Sequence, residues 1–270
     1  MVAKEAFRDN VVLITGASRG IGRDMALQLA TQGAHLGLAA RDGQLLAQVA
    51  QECRERGAQA VALPADVSDP AQDEQLVART VSNFGRLDTL VNNAGLGMWA
   101  RFEEVRDLSI FEQIMRVNYL GSLYLTHYAL PYLKTAHGRI VVVSSVAGKF
   151  GVPYRSGYGA SKHALSGFFE SLRIELDGTG VSVTIAYPDF VATGIQARNF
   201  GPDGQPLGAN PVQVDKVMSS EECARQILAA AARRKRELLM SPRARWGQWI
   251  RLVAPGIADR VAARAIQQGK

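Results

Sequence analysis

Asn10-Val11-Val12-Leu13-Ile14-Thr15-Gly16-Ala17-Ser18-Arg19-Gly20-Ile21-Gly22 is the stretch on which the fold turns. The apolar, β-branched run before Gly16 reads as a short buried strand. Glycines follow at once. A helical pattern then runs over residues 23–32 and stops at Gly33, a good C-cap. A glycine turn between strand and helix lets the backbone approach a ligand closely. The helix start offers unpaired N–H groups and the positive end of its dipole, which suits a pyrophosphate. The spacing of Gly16, Gly20 and Gly22 is G-x3-G-x-G, a departure from the general G-x-G-x-x-G fingerprint.

The same alternation continues outward. Residues 34–40, 60–64, 87–92, 139–144 and 181–186 read as strands, and 237–241 as a seventh. Residues 43–56, 69–85, 109–134, 158–177 and 219–236 read as helices. Strands that are apolar almost throughout, alternating with helices, predict a parallel sheet covered on both faces. The expected architecture is α/β: a Rossmann-like, doubly wound, mainly seven-stranded parallel sheet. Residues 1–242 are expected to form one catalytic domain, and residues 243–270 a C-terminal amphipathic helical extension. Residues 189–218, long and rich in Gly and Pro, are expected to form a mobile loop or lid over a ligand site.

Composition narrows the classes. The 270 residues are 47% hydrophobic and 21% charged, enough for a large core and too apolar for a disordered chain. Two cysteines, Cys53 and Cys223, exclude a disulfide scaffold and point to a reducing compartment. The first ten residues carry no apolar signal core. No apolar run approaches the ~20 residues needed to span a bilayer. A cytoplasmic, water-soluble protein is expected. His35, His127, His137 and His163 are scattered and no Cys/His spacing suits a metal, so no catalytic metal is expected. No G-x-S-x-G elbow supports a serine hydrolase. The net charge of +6 is local, because residues 233–251 hold seven basic side chains and one acid. That segment suits a solvated helix end, an anionic membrane surface or nucleic acid. No nucleic-acid reading module accompanies it, so no nucleic-acid partner is expected.

The second strand ends at Ala40-Arg41-Asp42. An enzyme preferring NAD would place a carboxylate there for the ribose 2′-hydroxyl. Here Arg41 comes first, and Arg19 in the glycine turn is able to reach the same place. Two guanidiniums suit a 2′-phosphate, which favours NADP (as NADPH) over NAD. In the competing reading Arg41 is solvated, and Asp42 holds the ribose or caps the next helix.

Tyr158 and Lys162 stand four apart in a helical pattern, on one face. A phenol normally holds its proton too tightly for transfer near neutrality, and a fixed ammonium nearby favours the phenolate. The pair is a candidate general acid/base. Ser144 and Ser145 end the fifth strand at its carboxyl edge, where ligands bind in open α/β sheets. A hydroxyl there can hold a substrate carbonyl or simply cap a turn. Asn118 sits mid-helix among apolar neighbours, where Asn is locally disfavoured, so either a polar task or a satisfied core amide accounts for it.

Together these residues resemble the short-chain dehydrogenase/reductase family, in its single-domain branch. The matching motifs are TGASRGIG at 15–22, NNAG at 92–95, Asn118, Ser145 and YGASK at 158–162, and the resemblance covers about residues 8–240. It implies that Tyr158 protonates the carbonyl oxygen as hydride arrives. Lys162 would hold the nicotinamide ribose and favour the Tyr158 phenolate. Ser145 would hydrogen-bond the carbonyl oxygen, and Asn118 would anchor a water that relays protons toward Lys162. Gly16, Ser18, Arg19, Gly20, Ile21 and Gly22 would form the phosphate turn. Asp66 and Val67 would meet the adenine. Asn92, Ala94 and Gly95 would flank the adenosine ribose. Pro188, Val191 and Thr193 would meet the nicotinamide end. One position departs from the family pattern: Asp189 stands where Gly usually follows Pro188. The change is expected to alter the floor of the substrate site and to leave cofactor binding intact.

The tail interleaves Trp246, Trp249, Ile250, Leu252 and Val253 with Arg243, Arg245 and Arg251. Such a segment suits a membrane interface, a partner subunit or a cover over the substrate site. It is similar to the tails of hydroxysteroid-dehydrogenase-like members, which implies a mainly hydrophobic substrate. Phe150, Tyr154, Phe190 and Phe200 are expected at the mouth of the site. The resulting expectation is an NADP(H)-dependent enzyme interconverting a carbonyl and an alcohol on a hydrophobic small molecule. A 3-oxoacyl thioester reductase and a non-catalytic NADP-binding scaffold are the alternatives. The resemblance also implies a homodimer or homotetramer, and the tail a peripheral membrane contact.

Overall fold

The computed structural model describes residues 6–208 and 217–267. Strands β1 (Val11–Thr15), β2 (His35–Ala40), β3 (Ala60–Pro64) and β4 (Thr89–Asn92) alternate with helices α1 (Gly20–Ala30), α2 (Gly43–Glu55) and α3 (Pro70–Phe84). Helices α4 (Ser109–Met115) and α5 (Gly121–Thr135) precede β5 (Arg139–Val143), and α6 (Ser156–Glu175) precedes β6 (Ser182–Tyr187). The short strands β7 (Val191–Ala192) and β8 (Met218–Ser219) pair with each other. Helix α7 (Ser220–Ala232), strand β9 (Glu237–Leu239), and helices α8 (Pro242–Val253) and α9 (Pro255–Gln267) follow.

The main sheet has seven strands in the order β3-β2-β1-β4-β5-β6-β9, and every pairing is parallel. Alternate side chains of each strand enter two separate cores. Val12, Ile14, Leu36, Leu38 and Val141 meet α1, α2 and α7 through Met25, Leu29, Leu46, Val49 and Ile227. Val11, Leu13, Leu90, Ile140 and Val142 meet α3, α5 and α6 through Leu76, Leu125, Leu133, Leu165 and Phe169. Burial on both faces explains why the strands are apolar throughout. It is also the expected Rossmann-like architecture. The order reverses at β1, whose neighbours are β2 and β4. A crevice opens at the carboxyl ends of the strands at such a switch, and the site lies there.

Two features of the fold bear on the site. The single helix expected over 109–134 is interrupted by a wider π-type turn at Arg116–Leu120. A π turn inserts an extra residue and re-aims the side chains it carries, here Asn118. The long loop after β6 is tied down at both ends by the β7–β8 pair. Within it, Phe200 donates its N–H to the Gly97 carbonyl and accepts from Trp99 N–H, both at 2.9 Å. Those bonds lay the segment across the strand ends. Residues 209–216 of the expected lid lie outside the described residues.

Candidate active site

The glycine turn is braced from the neighbouring strand end. Thr15 Oγ1 accepts the N–H groups of Asn93 and Ala94, each at 3.0 Å, and Asn93 Nδ2 donates to the Thr15 carbonyl at 2.9 Å. Gly16 has φ 64°, and a Cβ there would lie 3.0 Å from Ala94 Cα. A Cβ on Gly22 would collide with the Gly16 carbonyl oxygen. Side chains are excluded because two backbone segments meet. Helix α1 begins with no side-chain cap at Arg19. Its first N–H groups are left for a ligand.

A cavity of about 680 Å³ runs from this turn to Tyr158. Of the residues singled out in the sequence, Gly16, Ser18, Arg19, Gly20, Ile21, Arg41, Asp66, Val67, Ala94, Gly95, Ser145, Tyr158, Lys162, Pro188, Val191 and Thr193 line it. Gly22, Asn92 and Asn118 do not. Gly22 is buried behind the turn. Asn92 is buried, and its Nδ2 donates to Thr126 Oγ1 at 2.9 Å. Asn93, one residue on, lines the cavity instead. Alternation along the strand end turns one of the two amides inward and the other toward the crevice.

At the adenine end, Asp42 does two things. Its Oδ1 accepts Leu45 N–H as the cap of α2, at 3.1 Å. Its Oδ2 takes the Arg19 guanidinium at 2.8 Å. The backbone bond, then Arg19, hold this carboxyl below the usual carboxylate range. Arg41 beside it lines the cavity and has no ion-pair or hydrogen-bond partner among the described residues. Arg198, from the segment after β7, also lines the cavity. Partial burial and then the nearby Arg19 hold its pKa below that of a free arginine. No periodicity marked Arg198, because its place depends on a loop folding back.

At the other end, Lys162 is buried and its Nζ donates to the Val143 carbonyl at 2.8 Å. Burial pushes its pKa down to about 8. Its Nζ stands 5.8 Å from the centroid of the Tyr158 ring. Ser145 Oγ accepts Ala147 N–H at 3.2 Å and donates weakly to the Pro188 carbonyl at 3.4 Å. Ser144 turns back, with Oγ 3.3 Å from the Lys162 carbonyl and 3.2 Å from Ser166 Oγ. The π turn aims Asn118 at the segment after β4. Its Oδ1 accepts Leu96 N–H at 2.7 Å, and its Nδ2 donates to the Leu96 carbonyl and to Ser161 Oγ, both at 2.9 Å. Asn118 thereby ties that segment to α6, the helix of Tyr158 and Lys162.

Of the four aromatics expected at the mouth, Phe190 and Phe200 line the cavity. Tyr154 instead stacks on Trp99, with centroids 5.8 Å apart. Phe150 faces α8, where a Cβ on Gly247 would stand 3.5 Å from its ring. Asp189 is gripped by Arg243 of α8 through two bonds of 2.8 Å. The tail thus reaches the rim of the site on one side. On the other, Trp246, Trp249, Leu252 and Val253 are exposed. Among the described residues no helix is long and apolar enough to cross a membrane.

Parallel sheet, switch-point crevice and braced glycine turn define a nucleotide-binding α/β enzyme class, and comparison narrows it. The short chain dehydrogenase family model matches residues 10–202, and the chain belongs to that family of oxidoreductases. It is 40% identical over 242 residues to 11-beta-hydroxysteroid dehydrogenase 1A of Arabidopsis thaliana, covering 87% of this chain and 69% of that protein. It is 37% identical over 257 residues to 11-beta-hydroxysteroid dehydrogenase A of Sesamum indicum, covering 93% and 74%. A short chain dehydrogenase/reductase from Burkholderia phymatum, solved in complex with NAD, superposes with a TM-score of 0.81 at 26% identity, over 93% of this chain and 96% of that one. An alcohol dehydrogenase from Thermococcus sibiricus, complexed with 5-hydroxy-NADP, gives 0.73 at 29% identity, over 82% and 90%.

Proposed function

We propose that the protein is an NADP(H)-dependent oxidoreductase that interconverts a carbonyl and an alcohol on a mainly hydrophobic small molecule. The observation that carries this is one cavity with a phosphate-type glycine turn at one end and Ser145, Tyr158 and Lys162 at the other. The glycine turn fits a dinucleotide because Gly16, Ser18, Gly20 and Ile21 line the cavity where α1 begins without a side-chain cap. Preference for NADP is supported by Arg41, whose guanidinium has no partner among the described residues, and by Asp42, whose carboxylate is already shared between Leu45 and Arg19. When bound, the nicotinamide supplies or accepts the hydride.

In this reading the chain's own residues handle the proton and the orientation. Ser145 Oγ donates to the carbonyl oxygen. Tyr158 gives its hydroxyl proton to that oxygen during reduction, and accepts it back during oxidation. Lys162 stands behind it, with its Nζ held by the Val143 carbonyl. With a pKa pushed to about 8, Lys162 remains mostly charged at neutrality. Asn118 holds the segment after β4 against α6, which fixes the spacing of the group. A panel of apolar ketones and aldehydes with NADPH tests the proposal. Turnover is expected for the wild type, with a loss of about 10²–10⁴ in Tyr158→Phe while NADPH binding persists. Equal turnover in the variant would contradict the assignment of Tyr158.

The exposed Trp246, Trp249, Leu252 and Val253, beside the basic segment, support a peripheral membrane contact for the tail. Sedimentation with anionic vesicles tests it; recovery in the supernatant at low salt would count against it. Family membership supports a homodimer or homotetramer, which light scattering reads directly.

A further inference from the structure

Arg155 sits three residues before Tyr158, at the start of α6. Its guanidinium enters the cavity and is ringed by three aromatic side chains. The guanidinium carbon lies 5.0 Å from the Trp99 centroid, 5.4 Å from Tyr158 and 5.1 Å from Phe190. A guanidinium carries five N–H donors and stays protonated in proteins. None of the five has a hydrogen-bond partner among the described residues, and Nε is buried without one.

The nearest acid does not answer this charge. Asp189 is close enough to act on Arg155 electrostatically. Both of its oxygens are nevertheless taken by Arg243, and Oδ1 also accepts Phe190 N–H at 3.1 Å. Burial, more than any neighbour, acts against the charge of Arg155. Ring faces attract a cation but satisfy none of its N–H groups. Nε is buried, and the side chain as a whole is partly exposed to the cavity, where an anion arriving with the ligand finds donors that no protein group among the described residues has taken. The cofactor phosphates are not that anion in the proposed reading. They belong at the glycine turn and Arg41, the other end of the cavity.

We propose that Arg155 is the recognition group for an acidic substituent of the substrate, so that the preferred substrate has an apolar body and a carboxylate close to the reacting carbon. The inference rests on the oxidoreductase reading above. The three rings shape the apolar part. The guanidinium fork takes the two carboxylate oxygens side by side, a geometry that lysine cannot reproduce. Asp189, held away by Arg243, is kept from occupying the place of the substrate acid.

Matched pairs test this: phenylglyoxylate and a medium-chain oxo acid, each against its methyl ester, assayed with NADPH. The wild type should favour each acid over its ester by at least about tenfold in kcat/KM. In Arg155→Met the acid-to-ester ratio should fall by about 10–100-fold, mostly through KM, as expected for losing a charge-assisted bond. Arg155→Lys should recover part of the ratio by its charge alone. NADPH binding by calorimetry verifies that each variant is folded. A wild-type ratio near one overturns the proposal whatever the variants do. So does an equal loss for acid and ester in both variants, which would make Arg155 a structural brace. If esters turn over and acids do not, only this proposal fails. If NADPH does not bind the wild type, the oxidoreductase reading fails with it.

Discussion

The two ends of the cavity each hold an aspartate–arginine pair, with opposite consequences. At the adenine end, Asp42 takes Arg19 and leaves its neighbour Arg41 at the surface without a partner among the described residues. At the substrate end, Asp189 takes Arg243 and leaves Arg155, partly exposed in the cavity, without a hydrogen-bond or ion-pair partner among the described residues. An unpaired arginine in water costs little, whereas one ringed by three aromatic faces keeps only part of its hydration. The same pairing therefore leaves an adjustable contact at one end and a specific demand for an anion at the other. The partners also differ in origin. Arg19, Arg41 and Asp42 come from adjacent strand ends, whereas Arg243 comes from a helix 54 residues after Asp189.

The largest expected effect removes the backbone cradle on which the adenine end depends. Gly22→Val drives a side chain into the Gly16 carbonyl. NADPH binding should be lost, with a fall in Tm. Full-strength binding in this variant would break the claim that the glycine turn holds the phosphates.

A buried acid gives a third case, and a pH test. Asp73 of α3 is fully buried and both of its oxygens lack a partner. Burial, then Asp66 and Asp69, push its pKa up to about 8. The folded state therefore binds this proton more tightly than the unfolded state. Stability from Asp73 should be full below the ordinary carboxylate range and lost as pH rises toward about 8. Thermal melts across that window should show the decline, and Asp73→Asn should flatten it. An unchanged slope in the variant would assign the decline to other groups.

The smallest effect concerns the Asp189–Arg243 pair. Arg243 is about half exposed, so the pair is screened and worth about 1 kcal/mol or less. Arg243→Ala should lower Tm by only about 2–4 °C. Its freed Asp189 should compete for Arg155 and weaken binding of oxo acids more than of their esters. No change in that ratio would separate the two ends' logic.

Most of the fold was legible because the signals were local. Strands buried on both faces are apolar throughout, and β3 matches residues 60–64 as expected. The glycine turn and the Tyr158–Lys162 pair each lie within one short segment. Less was legible where placement depends on other segments. The helix expected over 109–134 widens into a π turn at Arg116–Leu120, where Asn118 bonds to Leu96, 22 residues away. Asn92 and Asn93 were indistinguishable until the strand end set which one turned inward. Arg155 carried no sequence signal, since its isolation results from three rings and from a pairing made by the tail.

Calorimetric titration of wild type and Arg41→Ala with NADPH and NADH tests the central claim most directly. The wild type should bind NADPH at least about tenfold more tightly than NADH, and the variant should lose that margin while keeping its NADH affinity. Equal or tighter NADH binding in the wild type would contradict the NADP reading and return the ribose to Asp42. Binding of neither nucleotide would contradict the enzyme assignment itself.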